Sequence, residues 1–71
     1  MIELGRYRHF KGNVYEVIAI AKHSETEEDM VVYKPLDGDK RGLGIWVRPL
    51  NMWNEMITRD GKTFPRFEKI N

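Results

Sequence analysis

This chain of 71 residues must build its core without a single cysteine. Domains of such length bury only about 60–70% of the surface that their unfolded form exposes. Many therefore lean on disulfides or a structural metal. Disulfides and thiolate zinc sites are closed to this sequence, so apolar side chains have to supply the core. They are present: three tyrosines, two tryptophans and three phenylalanines, at Tyr7, Phe10, Tyr15, Tyr33, Trp46, Trp53, Phe64 and Phe67. Each ring can remove roughly 150–250 Å² from water. A second core could not be assembled from what remains, so residues 1–71 form a single domain.

The segments between turn residues run with a period of two, the signature of strands. Gly5–Phe10 reads as a first strand, and Lys11-Gly12-Asn13 as a tight turn in which Gly12 or Asn13 can take positive φ. Val14–Lys22 follows, with apolar residues on both faces; this suggests a long, bent strand shared by two sides of a barrel. His23–Asp29 is a polar loop. Met30–Leu36 is a third strand closing at Pro35, and Asp37–Gly44 is a glycine-rich loop. Ile45–Arg48 is a fourth strand. Pro49 then opens a short 3₁₀ turn at residues 50–53, with an amphipathic helix over 50–58, carrying Met52, Trp53 and Met56 inward, as the alternative. Asn54–Thr58 and Thr63–Ile70 form a hairpin about Asp60-Gly61, and Pro65 marks a bulge or an edge. This order predicts a mainly β fold, a small SH3-like barrel of five to six antiparallel strands. An OB-like barrel is the runner-up.

Twelve Lys/Arg against eleven Asp/Glu leave a net charge of +1, which is no global footprint for nucleic acid. The signs cluster nonetheless: Glu25, Glu27, Glu28 and Asp29 form an acidic run, while Arg6, Arg8, Lys11 and Lys40-Arg41 lean basic. The N-terminal Met1-Ile2-Glu3-Leu4 lacks the basic-then-apolar pattern of a signal peptide. The longest apolar stretch, Val17–Ala21, is too short to cross a bilayer. A cytoplasmic protein with no membrane partner is expected.

No nucleophile elbow, phosphate-cradling glycine loop or HExxH helix occurs, so the reading leans away from an enzyme. Placing the turn at Lys11–Asn13 sets Phe10 near Val14 and His9 near Tyr15. His23 then lies eight residues further along, on the order of 25 Å away at about 3.3 Å per residue. A shared two-histidine metal site is therefore not expected. Opposing Val32 to about Arg48, and Lys22 to Met30 or Val31, gathers Arg48 with the His23-Ser24-Glu25-Thr26 loop at one end of the barrel. Structurally, Ser24 and Thr26 would cap a local turn, with Ser24 and Glu27 spaced as a capping box, and Arg48 would pair with Glu25 or a loop carbonyl. Functionally, the same groups would form a polar pocket for an anion or a peptide backbone.

The blocks Tyr7-Arg8-His9-Phe10-Lys11-Gly12, His23-Ser24-Glu25-Thr26, Trp46-Val47-Arg48-Pro49 and Pro65-Arg66-Phe67 together resemble a small bacterial family catalogued as a domain of unknown function. The match covers nearly the whole chain. The resemblance implies a compact SH3-like barrel and brings no activity, ligand or catalytic residue with it. The sequence departs from that pattern at Asp37, where an aromatic is expected, in the length of the Asp37–Gly44 loop, and at Trp53, where Phe is commoner.

The leading functional expectation is a non-catalytic binding module whose surface includes Tyr7, His23, Ser24, Glu25, Thr26, Arg48 and Arg66. Its ligand would be a protein segment or a small anionic molecule, and no cofactor is expected. The alternative is a binder of single-stranded nucleic acid, stacking bases on Tyr7, Tyr33 and Trp46 beside Arg6, Arg8, Arg48 and Arg66. A third reading, a small hydrolase or metal-dependent enzyme using His23 as base, is the weakest. Adjacent residues on an extended chain point apart, so His23 cannot readily serve Ser24.

Overall fold

The computed structural model describes residues 2–36 and 44–70. Residues 37–43, with most of the glycine-rich loop and the Lys40-Arg41 pair, lie outside the described residues. In chain order the elements are β1 (Gly5–His9), β2 (Val14–Lys22), β3 (Asp29–Pro35), β4 (Trp46–Pro49), α1 (Leu50–Trp53), β5 (Met56–Arg59), β6 (Lys62–Pro65) and β7 (Phe67–Lys69). β2 is the spine. β1 and β3 flank it antiparallel, β4 pairs outside β3, and β7 pairs outside β1, giving the order β4-β3-β2-β1-β7. β5 and β6 form a separate two-stranded sheet.

The mainly β, antiparallel architecture is as the sequence predicts, but the sheet does not close into the expected barrel. No ladder joins β4 to β7, so the larger sheet stays open with both as edges. Seven short strands stand among the described residues in place of the five or six expected. The cause lies at Pro65-Arg66, where the expected Thr63–Ile70 strand breaks in two. Proline lacks the N–H needed to carry a ladder onward, so β6 ends at Pro65. The chain turns at Arg66, whose N–H donates to the Glu55 carbonyl at 3.0 Å while its carbonyl accepts from the Phe10 N–H at 2.9 Å. Phe67–Lys69 then crosses to β1, pairing His9 with Phe67 and Tyr7 with Lys69. The turn of the β5–β6 hairpin is Asp60-Gly61, as predicted. Both residues have positive φ, 53° and 76°, the backbone of a type I′ turn.

The two apolar faces of β2 have a different origin from a strand shared between two walls. The β2–β3 register shifts between Val17 and Ala19, so Ile18 is an extra residue in a β-bulge. The bulge resets the alternation. Tyr15 and Val17 point into the core before it and Ile20 packs against the core after it, while Ile18 is exposed. The buried core comprises Tyr7, Tyr15, Val17, Val31, Tyr33, Trp53 and Phe67.

A single helical turn closes the inner face. Leu50 and Trp53, three residues apart, fall on one side of α1, with Leu50 against the core and Trp53 inside it. The indole of Trp53 stacks on Phe67 at 3.6 Å with the rings parallel to 1°, and meets the edges of Tyr7 at 5.5 Å and Tyr33 at 5.0 Å. The turn is α-helical rather than 3₁₀, and it occupies the expected positions. The longer helix over 50–58 does not form. Met52 and Met56 are exposed, and Met56 already pairs with Pro65 in the hairpin. Among the described residues no helix is long and apolar enough to cross a membrane.

Candidate functional site

The inner face of the sheet is not fully covered. Where the β1–β2 turn, the end of β3 and the start of β4 meet, a cleft of about 260 Å³ opens, lined by His9, Lys11, Asn13, Tyr15, Tyr33, Pro35, Trp46, Arg48 and Phe67. Its floor is aromatic: Tyr15 and Tyr33 meet edge to face at 5.5 Å, and each presents an edge to Phe67, at 6.0 Å and 6.3 Å. Its polar rim is nitrogenous, from His9, Lys11, Asn13 and Arg48; among the described residues no carboxylate lines it.

Register explains how Arg48 reaches this place. Val31, not Val32, lies opposite Arg48, and Tyr33 lies opposite Trp46. Directly paired residues share a face of the sheet. Val31 and Tyr33 are core residues, so Trp46 and Arg48 face inward while Val47 faces out, 59% exposed. The Arg48 guanidinium carbon lies 5.4 Å from the centre of the Phe67 ring, within cation–π range. Its Nε is buried and has no hydrogen-bond partner. Trp46 stands at the rim, 42% exposed.

The β1–β2 connection supplies the other wall. The Lys11–Asn13 turn is wider than expected: the His9 N–H donates to the Asn13 carbonyl at 2.7 Å, and the Gly12 N–H returns to the His9 carbonyl at 2.7 Å. Tyr7, rather than His9, therefore opposes Tyr15. Gly12 has φ 108°, a region that residues with a Cβ rarely enter. The His9 ring packs edge-on against Phe67 at 5.0 Å and accepts the Lys11 N–H at Nδ1, 3.1 Å away.

The residues expected at the site are scattered by this geometry. Arg48 alone lines the cleft. The His23–Thr26 loop follows the far end of β2, three residues beyond Ile20, which pairs with Val31. It is closed on itself: His23 Nδ1 accepts the N–H groups of Glu25 and Thr26 at 3.1 and 3.3 Å, and Thr26 Oγ1 accepts that of Glu28 at 3.2 Å. The cap therefore comes from His23 and Thr26, and Glu27 takes φ 62° to complete the turn. Tyr7 is buried, its hydroxyl donating to the Glu3 carbonyl at 2.7 Å. Burial, reinforced by the Glu3 carboxylate, raises its pKa above the usual tyrosine value. Arg66 Nη2 donates to Glu55 Oε1 at 2.8 Å, fixing the corner between the two sheets. His9, Lys11 and Asn13 were missed as site residues. The available signal was the turn itself, because a cation and an amide beside Gly12 project from the end of two inward-facing strands.

Together these features define a small, open antiparallel β domain with an aromatic, cation-rimmed cleft beside an edge strand of the sheet. The chain belongs to the family described as "Protein of unknown function (DUF1653)", whose model matches residues 5–69. A crystal structure of a member of this family from Bordetella bronchiseptica is similar, with 36% sequence identity and a TM-score of 0.86 over 97% of this chain and 87% of that one. Among curated proteins there is no match.

Proposed function

We propose that the protein is a non-catalytic binding module that receives an anionic group, carried by a protein segment or a small molecule, in the cleft at Arg48. The observation that carries this reading is the Arg48 guanidinium, held over an aromatic floor with a buried Nε lacking any partner, in a cleft that no carboxylate lines among the described residues. An unsatisfied buried donor costs about 1–3 kcal/mol. A bound carboxylate or phosphate would pair with the guanidinium through charge-assisted bonds and offset that cost, while Trp46 and Tyr33 would flank the apolar part of the ligand. Among the described residues no serine, threonine, aspartate or glutamate lines the cleft, which supports a binding role over nucleophilic catalysis. In this reading Tyr7 and Arg66 build the frame, and the His23–Thr26 loop is a self-capped turn.

Single-stranded nucleic acid has weaker support. Stacking successive bases needs a row of exposed rings beside positive charge. Of Tyr7, Tyr33 and Trp46, the first two lie in the core and only Trp46 is exposed.

The test is a titration of isotope-labelled protein with 3-phenylpropionate and with its neutral amide, followed by amide and indole NMR shifts. The reading expects acid-dependent shifts concentrated at Trp46–Arg48 and Lys11–Asn13, lost in Arg48→Gln. Equal binding of the neutral amide, or shifts confined to regions away from the cleft, would refute it.

A further inference from the structure

The cleft is small, and it opens at the edge of the sheet. At about 260 Å³ it falls below the roughly 300–1,000 Å³ of pockets that enclose whole drug-sized ligands, yet a single amino-acid side chain fits. The residues that make its anionic subsite, Trp46 and Arg48, belong to β4, which has a ladder partner on one side only among the described residues. Free strand edges are usually blunted with lysine, inward charge or proline. Here Ile45 is 64% and Val47 59% exposed, and the stretch from Gly44 to Leu50 holds no lysine, aspartate or glutamate. The devices β4 does carry are its length of four residues, the inward charge of Arg48 and Pro49 at its end, and none of them covers the backbone between Ile45 and Val47.

We infer that the anionic group reaches the cleft as a glutamate or aspartate side chain of an extended acidic protein segment, which adds antiparallel to the outer edge of β4. This inference rests on the anion-binding reading above and adds the identity of the partner. Charge complementarity selects an acidic segment, because Lys11 and Arg48 bring positive charge to the cleft and no carboxylate lines it among the described residues. Pairing geometry sets the order of its residues. Side chains directly opposite one another share a face, so the residue opposite Arg48 points into the cleft and carries the carboxylate. The next residue, opposite Val47, lies on the outer face and is β-branched. The one after it, opposite Trp46, returns to the inner face and is aromatic. Read from its N-terminus, the bound segment has the pattern acidic, β-branched, aromatic. Backbone pairing supplies affinity and the alternating side chains supply specificity, as in other strand-addition complexes.

The probe is a short end-capped peptide centred on Glu-Val-Phe, with fluorescence and NMR as readouts. The inference expects binding, slowed hydrogen exchange of β4 amides, and a loss of affinity of roughly ten-fold or more when the glutamate becomes glutamine. Two N-methylated peptides provide the decisive contrast. Strand pairing uses the N–H groups of alternate residues, so methylating one alternate set abolishes binding and methylating the other does not. These ligand-side variants read out independently of whether any protein variant folds. If 3-phenylpropionate shifts the cleft but the peptide fails to bind, or both methylated sets bind alike, strand addition is overturned while the anion-binding reading stands. If neither probe binds, both readings fall.

Discussion

Replacing Phe67 tests what holds the helical turn to the sheet. The ring is 6% exposed. It stacks on Trp53 at 3.6 Å, takes the edges of Tyr15 and Tyr33, packs beside His9, and lies under Arg48. Phe→Ala in a packed core costs about 3–5 kcal/mol. A domain of this length has a total stability of roughly 4–10 kcal/mol at 0.05–0.15 kcal/mol per residue, so Phe67→Ala removes about half of it or more. Phe67→Leu keeps most of the apolar volume and loses the ring faces. Such volume-conserving swaps cost less than about 1.5 kcal/mol, and each aromatic pair is worth about 0.5–1.5 kcal/mol beyond its buried area. These pairs share one ring and do not add, so Phe67→Leu should cost about 1–2 kcal/mol. Urea unfolding monitored by tryptophan fluorescence measures both. With a slope of about 1 kcal/mol/M for so small a chain, Phe67→Leu shifts the midpoint by roughly 1–2 M and Phe67→Ala by roughly 3–5 M. Should alanine and leucine both lose under about 1 kcal/mol at unchanged slope, the Trp53–Phe67 stack would not be what joins α1 to the sheet.

Three further substitutions probe separate links. Because burial raises the Tyr7 pKa, the folded chain holds that phenolic proton more tightly than the unfolded one. The resulting stability is complete below about pH 10 and is lost as pH rises through the folded value; urea midpoints from about pH 9 to about pH 11 should therefore fall less steeply in Tyr7→Phe than in the parent. At Gly61, with φ 76° and open space where a Cβ would stand, alanine meets no clash and bears only the backbone cost of about 1–2 kcal/mol. Its melting point should drop by roughly 4–8 °C per kcal/mol, and an unchanged melting point would place the β5–β6 hairpin outside the cooperative unit. Arg48→Met keeps the apolar stem over Phe67 while removing the charge. It should leave stability within about 1 kcal/mol of the parent and abolish binding of 3-phenylpropionate, whereas retained binding would refute the assignment of the anionic subsite.

Local signals in the sequence were read well, and pairing across distant residues was not. The bounds of β2 and the Asp60-Gly61 turn follow from residues adjacent in the chain, where turn chemistry and strand periodicity act directly. The Leu50–Trp53 turn is likewise set by Pro49 before it and by its own apolar pair. Register is different. The expected turn at Lys11-Gly12-Asn13 closes instead from His9 to Asn13, which moves the β1–β2 pairing by two residues and preserves the faces. Between β3 and β4 the error is one residue, Val31 rather than Val32 opposite Arg48, and a single step exchanges the two faces of a strand. That step decides whether Arg48 points into the aromatic cleft or out to solvent. Nothing local fixes it, because the intervening glycine-rich loop imposes no particular turn. The bulge at Ile18 escaped for the same reason. It exists to bring Tyr15, Val17 and Ile20 onto one face, a requirement of the assembled core rather than of the local sequence.

The same register accounts for why the molecule tolerates a guanidinium against its core. A half-buried arginine without a carboxylate partner among the described residues weakens a small fold, and a chain relying on five buried aromatic rings, those of Tyr7, Tyr15, Tyr33, Trp53 and Phe67, has little stability to spare. The Arg66 guanidinium likewise has a buried Nε without a partner, but its Nη2 is held by Glu55 at 2.8 Å and serves the corner between sheets. Arg48 has a ring beneath it instead, and the ring offsets only part of the desolvation. The place of Arg48 on an edge strand is what the proposed reading uses, since a partner could reach it there without opening the core. A central strand would offer no such access. Fold and proposed ligand therefore make compatible demands on the two inward positions of β4: Trp46 shields the cleft and Arg48 supplies its charge, while Val47 points to the outer face.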